Sequence, residues 1–301
     1  VLSSIGATII EAPDQSESTL IKLAVDADAI MTCFAQVTSN VVRAAKNCMV
    51  ISRYGVGVDN IAVSTATEQG IPVTYVPDYC VDEVSDHVMA LLLTWNRQIV
   101  FYDKVGKKGE WGGSVSPVPL RRLRGKNFGV IGLGRIGLAV AAKLQVLGIN
   151  VLGYDPYVCG NPDTMGNIHI TSLEDLLERS DYISVHTPLN DNTRGFIGEM
   201  ELSRMKPSSY LINCARGPIV DERALYQALK AGTIAGAGLD VLEDTEPRAD
   251  NPLFELDNVI VTPHVAFLSV ESVNELEVRT ARATRDVLLG QMPEFLVNPE
   301  V

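Results

Sequence analysis

Phe128-Gly-Val-Ile-Gly132-Leu-Gly134-Arg-Ile-Gly137 decides how this chain folds. The apolar run at 128–131 predicts a strand, and the Ala-rich apolar run at 136–147 predicts a helix. A second apolar run, Val151-Leu-Gly-Tyr, ends on Asp155. Strand, glycine turn, helix, strand and acid, in that order, form the unit that holds a dinucleotide. Gly132 permits the tight turn, Gly134 lets a pyrophosphate approach the backbone, and Gly137 lets the helix lie close on the strand. The N–H groups of Arg135 and Ile136 open the helix and face the phosphates. Asp155, placed to accept from both ribose hydroxyls, would repel a 2′-phosphate, so the pattern predicts NAD over NADP.

Working outward, short β-rich runs alternate with helical stretches almost throughout, the pattern of parallel α/β sheets. Before the glycines, strands are expected at 8–12, 29–33, 49–54 and 73–76. A long helix is expected over 82–105, carrying Val84, Val88, Leu91, Leu92 and Trp95 on a helical period, then a Gly-, Pro- and Ser-rich loop at 109–119. After them, strands are expected at 182–186, 209–214, 234–240 and 259–262, and a last helix over 270–289 stops at Gly290. These strands end on polar or small residues: Asp155, His186-Thr187-Pro188, Asn213-Cys214-Ala215-Arg216, Asp240 and Thr262-Pro263-His264. In doubly wound sheets ligands bind outside the carboxyl ends of the strands, so the reactive candidates gather on the rim where a cofactor lies.

The 301 residues suit two domains, and the net charge of −12 argues against nucleic acid and anionic membranes as partners. Basic residues at 104–108 and 121–126 read as solvated loop faces. Five cysteines (Cys33, Cys48, Cys80, Cys159, Cys214) are scattered, with no CxxC or zinc-ligand spacing. They predict free thiols in a reducing compartment and no metal site. No signal peptide or long apolar span is visible, which predicts a cytoplasmic protein. The first residue is not Met and the chain opens within a helical pattern, so a preceding segment is expected.

At this point the residues resemble the NAD-dependent D-isomer-specific 2-hydroxyacid dehydrogenases. The matching blocks are Arg53-Tyr-Gly-Val-Gly-Val-Asp-Asn60, Gly132-Leu-Gly-Arg-Ile-Gly137, His186-Thr-Pro-Leu189, Asn213-Cys-Ala-Arg-Gly217, Gly238-Leu-Asp240 with Glu246-Pro247, and Thr262-Pro-His264. Each is short; in this order, over nearly the whole chain, they are specific. The resemblance implies two Rossmann-like domains with parallel sheets and the active site in the interdomain cleft. Residues 1–82 with 268–301 would form the substrate domain and residues 83–267 the NAD domain. It implies NAD as cofactor, a small 2-oxo or 2-hydroxy acid as substrate, and a homodimer. Such enzymes usually begin with a strand before the first helix, absent here.

Hydride transfer between C2 of a hydroxy acid and C4 of nicotinamide needs an acid/base, a cation for the carboxylate and carbonyl, and a group that tunes the base. By resemblance these are His264, Arg216 and Glu246. A guanidinium offers paired planar donors for a carboxylate and a keto oxygen, and a carboxylate beside imidazole favours its protonated form. The family spaces its acids Asp-x-x-x-x-Glu-Pro. Here Asp240 to Glu246 is one residue longer, which leaves Glu243 as the alternative. By resemblance Asp240 helps hold the nicotinamide end, and Cys214 and Ala215 are expected among the cofactor-binding residues. Tyr154, Pro156, His186, Thr187, Pro188 and Thr193 are expected around the adenosine side. Tyr54, Gly55 and Val56 resemble the loop whose backbone binds the substrate carboxylate. His87, beside Asp86 on the long helix, reads as a structural or interface residue.

The substrate is less legible. Relatives acting on 3-phosphoglycerate carry an arginine where this chain has Thr32, near Cys33 and Phe34, so no cation awaits a phosphate there. The chain ends soon after its last helix, with no appended regulatory domain in view. The alternatives are a phosphoglycerate dehydrogenase, an enzyme using formate, phosphite or another atypical hydride donor, and an NAD-sensing corepressor of the C-terminal-binding-protein kind. The block Tyr79-Cys-Val-Asp-Glu-Val-Ser-Asp-His87 is compatible with corepressors as with dehydrogenases.

Overall fold

In the computed structural model, which describes residues 1–112, 118–158 and 167–301, the chain divides into two units. One is assembled from both ends, Val1–Tyr79 with Leu268–Val301; the other is the inserted stretch Cys80–Phe267. Cys159 and part of the 109–119 loop lie outside the described residues.

The outer unit alternates α1 (Glu17–Ala24), β1 (Ala29–Thr32), α2 (Ser39–Ala44), β2 (Val50–Arg53), α3 (Val63–Glu68) and β3 (Val73–Thr74). The three strands form a parallel sheet in the order β1-β2-β3. Ser16 and Thr38 cap α1 and α2, their hydroxyls accepting from backbone N–H groups three residues on. The run at 8–12, expected as a strand, is not one. Its Ile9 and Ile10 lie 69% and 74% exposed, and no described strand pairs with it. An apolar run without a ladder partner gains nothing from the extended form. The opening residues form a short 3₁₀ turn, Leu2–Ile5.

The inserted unit begins with α4 (Val81–Asn96) and α5 (Ile99–Lys107). The single helix expected over 82–105 is broken at Gln98, which adopts a left-handed conformation (φ 51°). That side chain is buried and donates to Trp95 O at 2.8 Å, a tertiary commitment that no Gly or Pro announces. Then come β4 (Asn127–Ile131), α6 (Arg135–Val146), β5 (Asn150–Tyr154), β6 (Ile168–Ile170), α7 (Leu173–Arg179), β7 (Tyr182–Val185), α8 (Glu199–Arg204), β8 (Tyr210–Asn213), α9 (Glu222–Ala231), β9 (Gly236–Leu239) and β10 (Val259–Val261). β6 was not anticipated from the sequence. All seven strands are parallel, in the order β10-β9-β8-β7-β4-β5-β6.

Alternate residues of one strand serve two cores. Tyr210 and Ile212 of β8 pack with Val88 and Leu92 of α4 and Val140 and Leu144 of α6, whereas Leu211 packs with Leu177, Leu225 and Leu229 on the opposite face. Burial on both faces explains why these strands read as continuous apolar runs. Trp95 stacks on Tyr210 with ring centroids 4.5 Å apart. Truncating a side chain such as the fully buried Leu144 to Ala costs about 2–5 kcal/mol.

The chain returns to the outer unit as α10 (Val270–Leu288), capped by Ser269. Asn298, 1% exposed, closes that unit: its Oδ1 accepts from Val73 N at 2.7 Å and its Nδ2 donates to Ile71 O at 3.0 Å.

Candidate active site

Strand order reverses between β4 and β7, and a crevice opens there at the carboxyl ends of the strands. Gly132 follows β4 with φ 92°, and a Cβ on it would lie 2.8 Å from the carbonyl carbon and oxygen of His186, which follows β7. A Cβ on Gly137 would strike Gly132 O at 2.0 Å, so α6 meets the turn backbone to backbone. A Cβ on Gly134 would meet nothing within 4 Å. Gly134 and Arg135 are exposed at the start of α6, whose first turn has no side-chain cap. These features suit a phosphate group drawn to uncapped N–H donors at a helix start. Among the described residues, the Thr187 hydroxyl at the same crevice is buried without a hydrogen-bond partner. An open space over a helix N-terminus beside an orphaned hydroxyl fits a dinucleotide.

Asp155 ends β5. Its Oδ2 accepts from Leu133 N at 2.9 Å and its Oδ1 from Tyr157 N at 3.0 Å, so the acid faces the glycine turn. Tyr154 stacks on Phe196, and Pro156 and Pro188 are exposed. The Thr193 hydroxyl donates to Pro188 O at 2.6 Å and shapes that loop from within. Burial pushes the His186 imidazole down to about 4, so it is neutral, and its Nε2 lies 2.7 Å from Ser184 Oγ.

Farther along the same edge, β8, β9 and β10 are neighbours, and their ends carry Arg216, Asp240 and His264. Asn213 sets the Arg216 turn: its Nδ2 donates to Arg216 O at 2.9 Å and its Oδ1 accepts from Ala215 N at 3.0 Å. A Cβ on Gly217 would fall 1.8 Å from Leu242 O, so the arginine turn lies against the start of the acidic loop. Glu243 and Glu246 are both exposed in that loop; Glu243 N donates to Glu222 at 2.9 Å. Burial, with the charge of Asp240 nearby, pushes the Cys214 thiol well up, so it is no nucleophile.

His264 has φ 53°, one of two non-glycine residues with positive φ among those described. Its N–H donates to Asp240 O at 2.8 Å. The Asp240 side chain, expected near the nicotinamide, is 2% exposed and committed to this turn. Oδ1 accepts from Thr262 Oγ1 at 2.6 Å and Val265 N at 3.0 Å, and Oδ2 from Ala266 N at 2.9 Å. The histidine is therefore bracketed on both sides by groups bonded to one carboxylate, the over-determination that a positive φ needs to persist.

In the outer unit, Arg53 closes β2 and was not singled out from the sequence. Its buried guanidinium donates to Gly57 O (2.8 Å) and to Tyr54 O, shaping the Tyr54-Gly55-Val56 loop from inside. A charge ending an apolar strand was the available signal. Gly55 has φ 142° and sits over that guanidinium. Burial and the charge of Glu277 raise the Tyr54 phenol, which stays protonated. Among the described residues no cluster of three His, Cys, Asp or Glu is placed to hold a metal, and no helix is long and apolar enough to cross a membrane.

The sheet order and the glycine turn define a doubly wound fold of the dinucleotide-binding class. Residues 89–266 match the model of the D-isomer specific 2-hydroxyacid dehydrogenase NAD-binding domain. The chain is 41% identical to a glyoxylate reductase of Thermofilum pendens, over 92% of this chain and 83% of that one. It is also 41% identical to a D-3-phosphoglycerate dehydrogenase of Methanocaldococcus jannaschii, over 91% of this chain but only 52% of that longer one. A D-lactate dehydrogenase from Aquifex aeolicus, complexed with NAD and lactic acid, superposes with a TM-score of 0.86 at 32% identity, covering 92% of this chain and 88% of that one. The chain belongs to the D-isomer-specific 2-hydroxyacid dehydrogenase family and is an oxidoreductase of that kind.

Proposed function

We propose that the protein reduces a short 2-oxo acid to the D-2-hydroxy acid with NADH, or runs the reverse reaction. One observation carries the reading: Arg216 and His264 follow β8 and β10, two strands of one sheet edge with only β9 between them, and His264 is locked in a strained turn. NAD, when bound, supplies or accepts the hydride. Arg135 and Ile136 would give backbone N–H groups to its pyrophosphate over the turn that Gly132, Gly134 and Gly137 make possible, and Asp155 would take the ribose hydroxyls. Arg216 holds the substrate carboxylate and polarises the carbonyl. Protonated His264 gives its proton to the carbonyl oxygen as the hydride arrives, and Glu246, or Glu243, favours that protonated form.

A short substrate is favoured because the Thr32 hydroxyl turns inward to Ala35 O at 2.9 Å and the 29–38 segment offers no cation. The similarity to a glyoxylate reductase points the same way. Phosphoglycerate dehydrogenation is the second reading, favoured by the archaeal relative of that name, although the chain spans about half of it. NADH oxidation with glyoxylate, hydroxypyruvate, pyruvate, 2-oxoisocaproate, phenylpyruvate and 3-phosphohydroxypyruvate, with NADPH as control, separates the two. NADH binding without turnover of any of them would sink both and favour a sensor.

The same reading includes a homodimer and a cytoplasmic setting. α5 has no buried residue and exposes Ile99 and Val100, a face suited to a second copy. None of the described cysteines is joined in a disulfide, in keeping with a reducing compartment. Sedimentation of a monomer at micromolar concentration would remove the dimer.

A further inference from the structure

His87 lies on α4, far in sequence from the strand ends, and its Nε2 reaches Thr262 Oγ1 at 2.9 Å. The donor inventory fixes the direction of that bond. The Thr262 hydroxyl has one hydrogen, and it is given to Asp240 Oδ1 at 2.6 Å. Towards His87 the hydroxyl can only accept, so Nε2 carries a proton and donates. The same Nε2 stands 3.6 Å from Asp240 Oδ1. One chain of donors therefore runs from His87 through Thr262 to the carboxylate that grips Val265 and Ala266 on the far side of His264.

We propose that His87 is a positioning residue for His264: by donating to Thr262 it orients the Thr262 hydroxyl and the Asp240 carboxylate, and so holds the turn that aims His264. This rests on the reading of His264 as the acid/base. A buried carboxylate is costly unless its lone pairs are satisfied. Without the His87 donor, the Thr262 hydroxyl is free to rotate off Asp240. The turn then loses the clamp that overrides the strain of a positive φ. A small misplacement of an acid/base is enough to slow proton transfer strongly.

The test uses the full chain with glyoxylate and hydroxypyruvate as substrates. His87→Leu, which keeps bulk and removes the donor, is expected to lower kcat about tenfold while KM for NADH stays within about twofold. His87→Gln, which restores an N–H donor, is expected to recover most of kcat. Amide hydrogen exchange without cofactor supplies a second readout. Exchange at Val265 and Ala266 should speed up about tenfold in His87→Leu and stay near wild type in His87→Gln. Wild-type kcat and wild-type protection in His87→Leu overturn the proposal. So does His87→Gln falling as far as His87→Leu, which would mean that shape rather than the proton matters. His264→Ala serves as the control: undiminished turnover there defeats the acid/base reading itself, whereas loss there with an unaffected His87→Leu defeats this inference alone.

Discussion

Leu133 and Asp155 are joined by a 2.9 Å hydrogen bond from the backbone of the glycine turn to the acid that ends the next strand. The residue proposed to read the ribose thus also braces the glycine turn. Replacing Asp155 with Ser removes both a repelling charge and a brace. The NADPH/NADH preference should rise, and kcat/KM with NADH should fall by about tenfold. Steady-state kinetics with both cofactors check this; an unchanged preference would mean that Asp155 does not read the ribose.

His264→Ala should leave NADH affinity nearly intact, because no backbone donor of the glycine turn is touched. Turnover should fall about 10²–10⁴-fold. Fluorescence titration with NADH alongside single-turnover reduction separates the two, and near-normal turnover would take His264 out of the mechanism.

Gly217→Ala puts a methyl 1.8 Å from Leu242 O, where both neighbours are backbone. Stability should drop by about 1–3 kcal/mol, and the Arg216 turn should shift away from the acidic loop. Thermal unfolding and KM for the 2-oxo acid are the measurements. An unaltered melting temperature would show that the contact yields freely.

The His186 imidazole, held down to about 4 by burial, makes stability depend on pH. An unfolded histidine titrates near 6.5, so between those values the unfolded chain binds a proton that the folded one refuses. This contribution is complete above pH 6.5 and shrinks as the pH falls, by about 2 kcal/mol at pH 5. Urea unfolding at pH 7 and pH 5 should show a smaller difference for His186→Asn than for the natural chain. Equal differences would place the acid sensitivity elsewhere.

The dinucleotide half of the site was legible because its chemistry is local: turn, helix start and acid all lie within Gly132–Asp155, and a two- or 3.6-residue period reveals the elements around them. What escaped was set by burial and by partners that neither period nor composition reveals. Gln98 breaks a helical run because Trp95 O and a buried setting claim it, and neither leaves a mark on composition. Residues 8–12 have strand chemistry and no strand beside them. Asp240 could be placed at the sheet rim from its block, but not its attachment to Thr262, Val265 and Ala266, which depends on how β9 and β10 align. Glu243 and Glu246, both exposed in the acidic loop, remain alternatives as partners of His264, as the longer spacing from Asp240 foretold.

Asn298 completes the outer unit by bonding to Ile71 and Val73, more than two hundred positions earlier. The inserted unit has its last residue at Phe267. During synthesis every strand of its sheet is therefore made before α10 and Asn298, which the outer unit requires. The order of supply is written into the chain: the inserted unit has all its residues first, and the unit built from both ends gains its buried closing amide only afterwards.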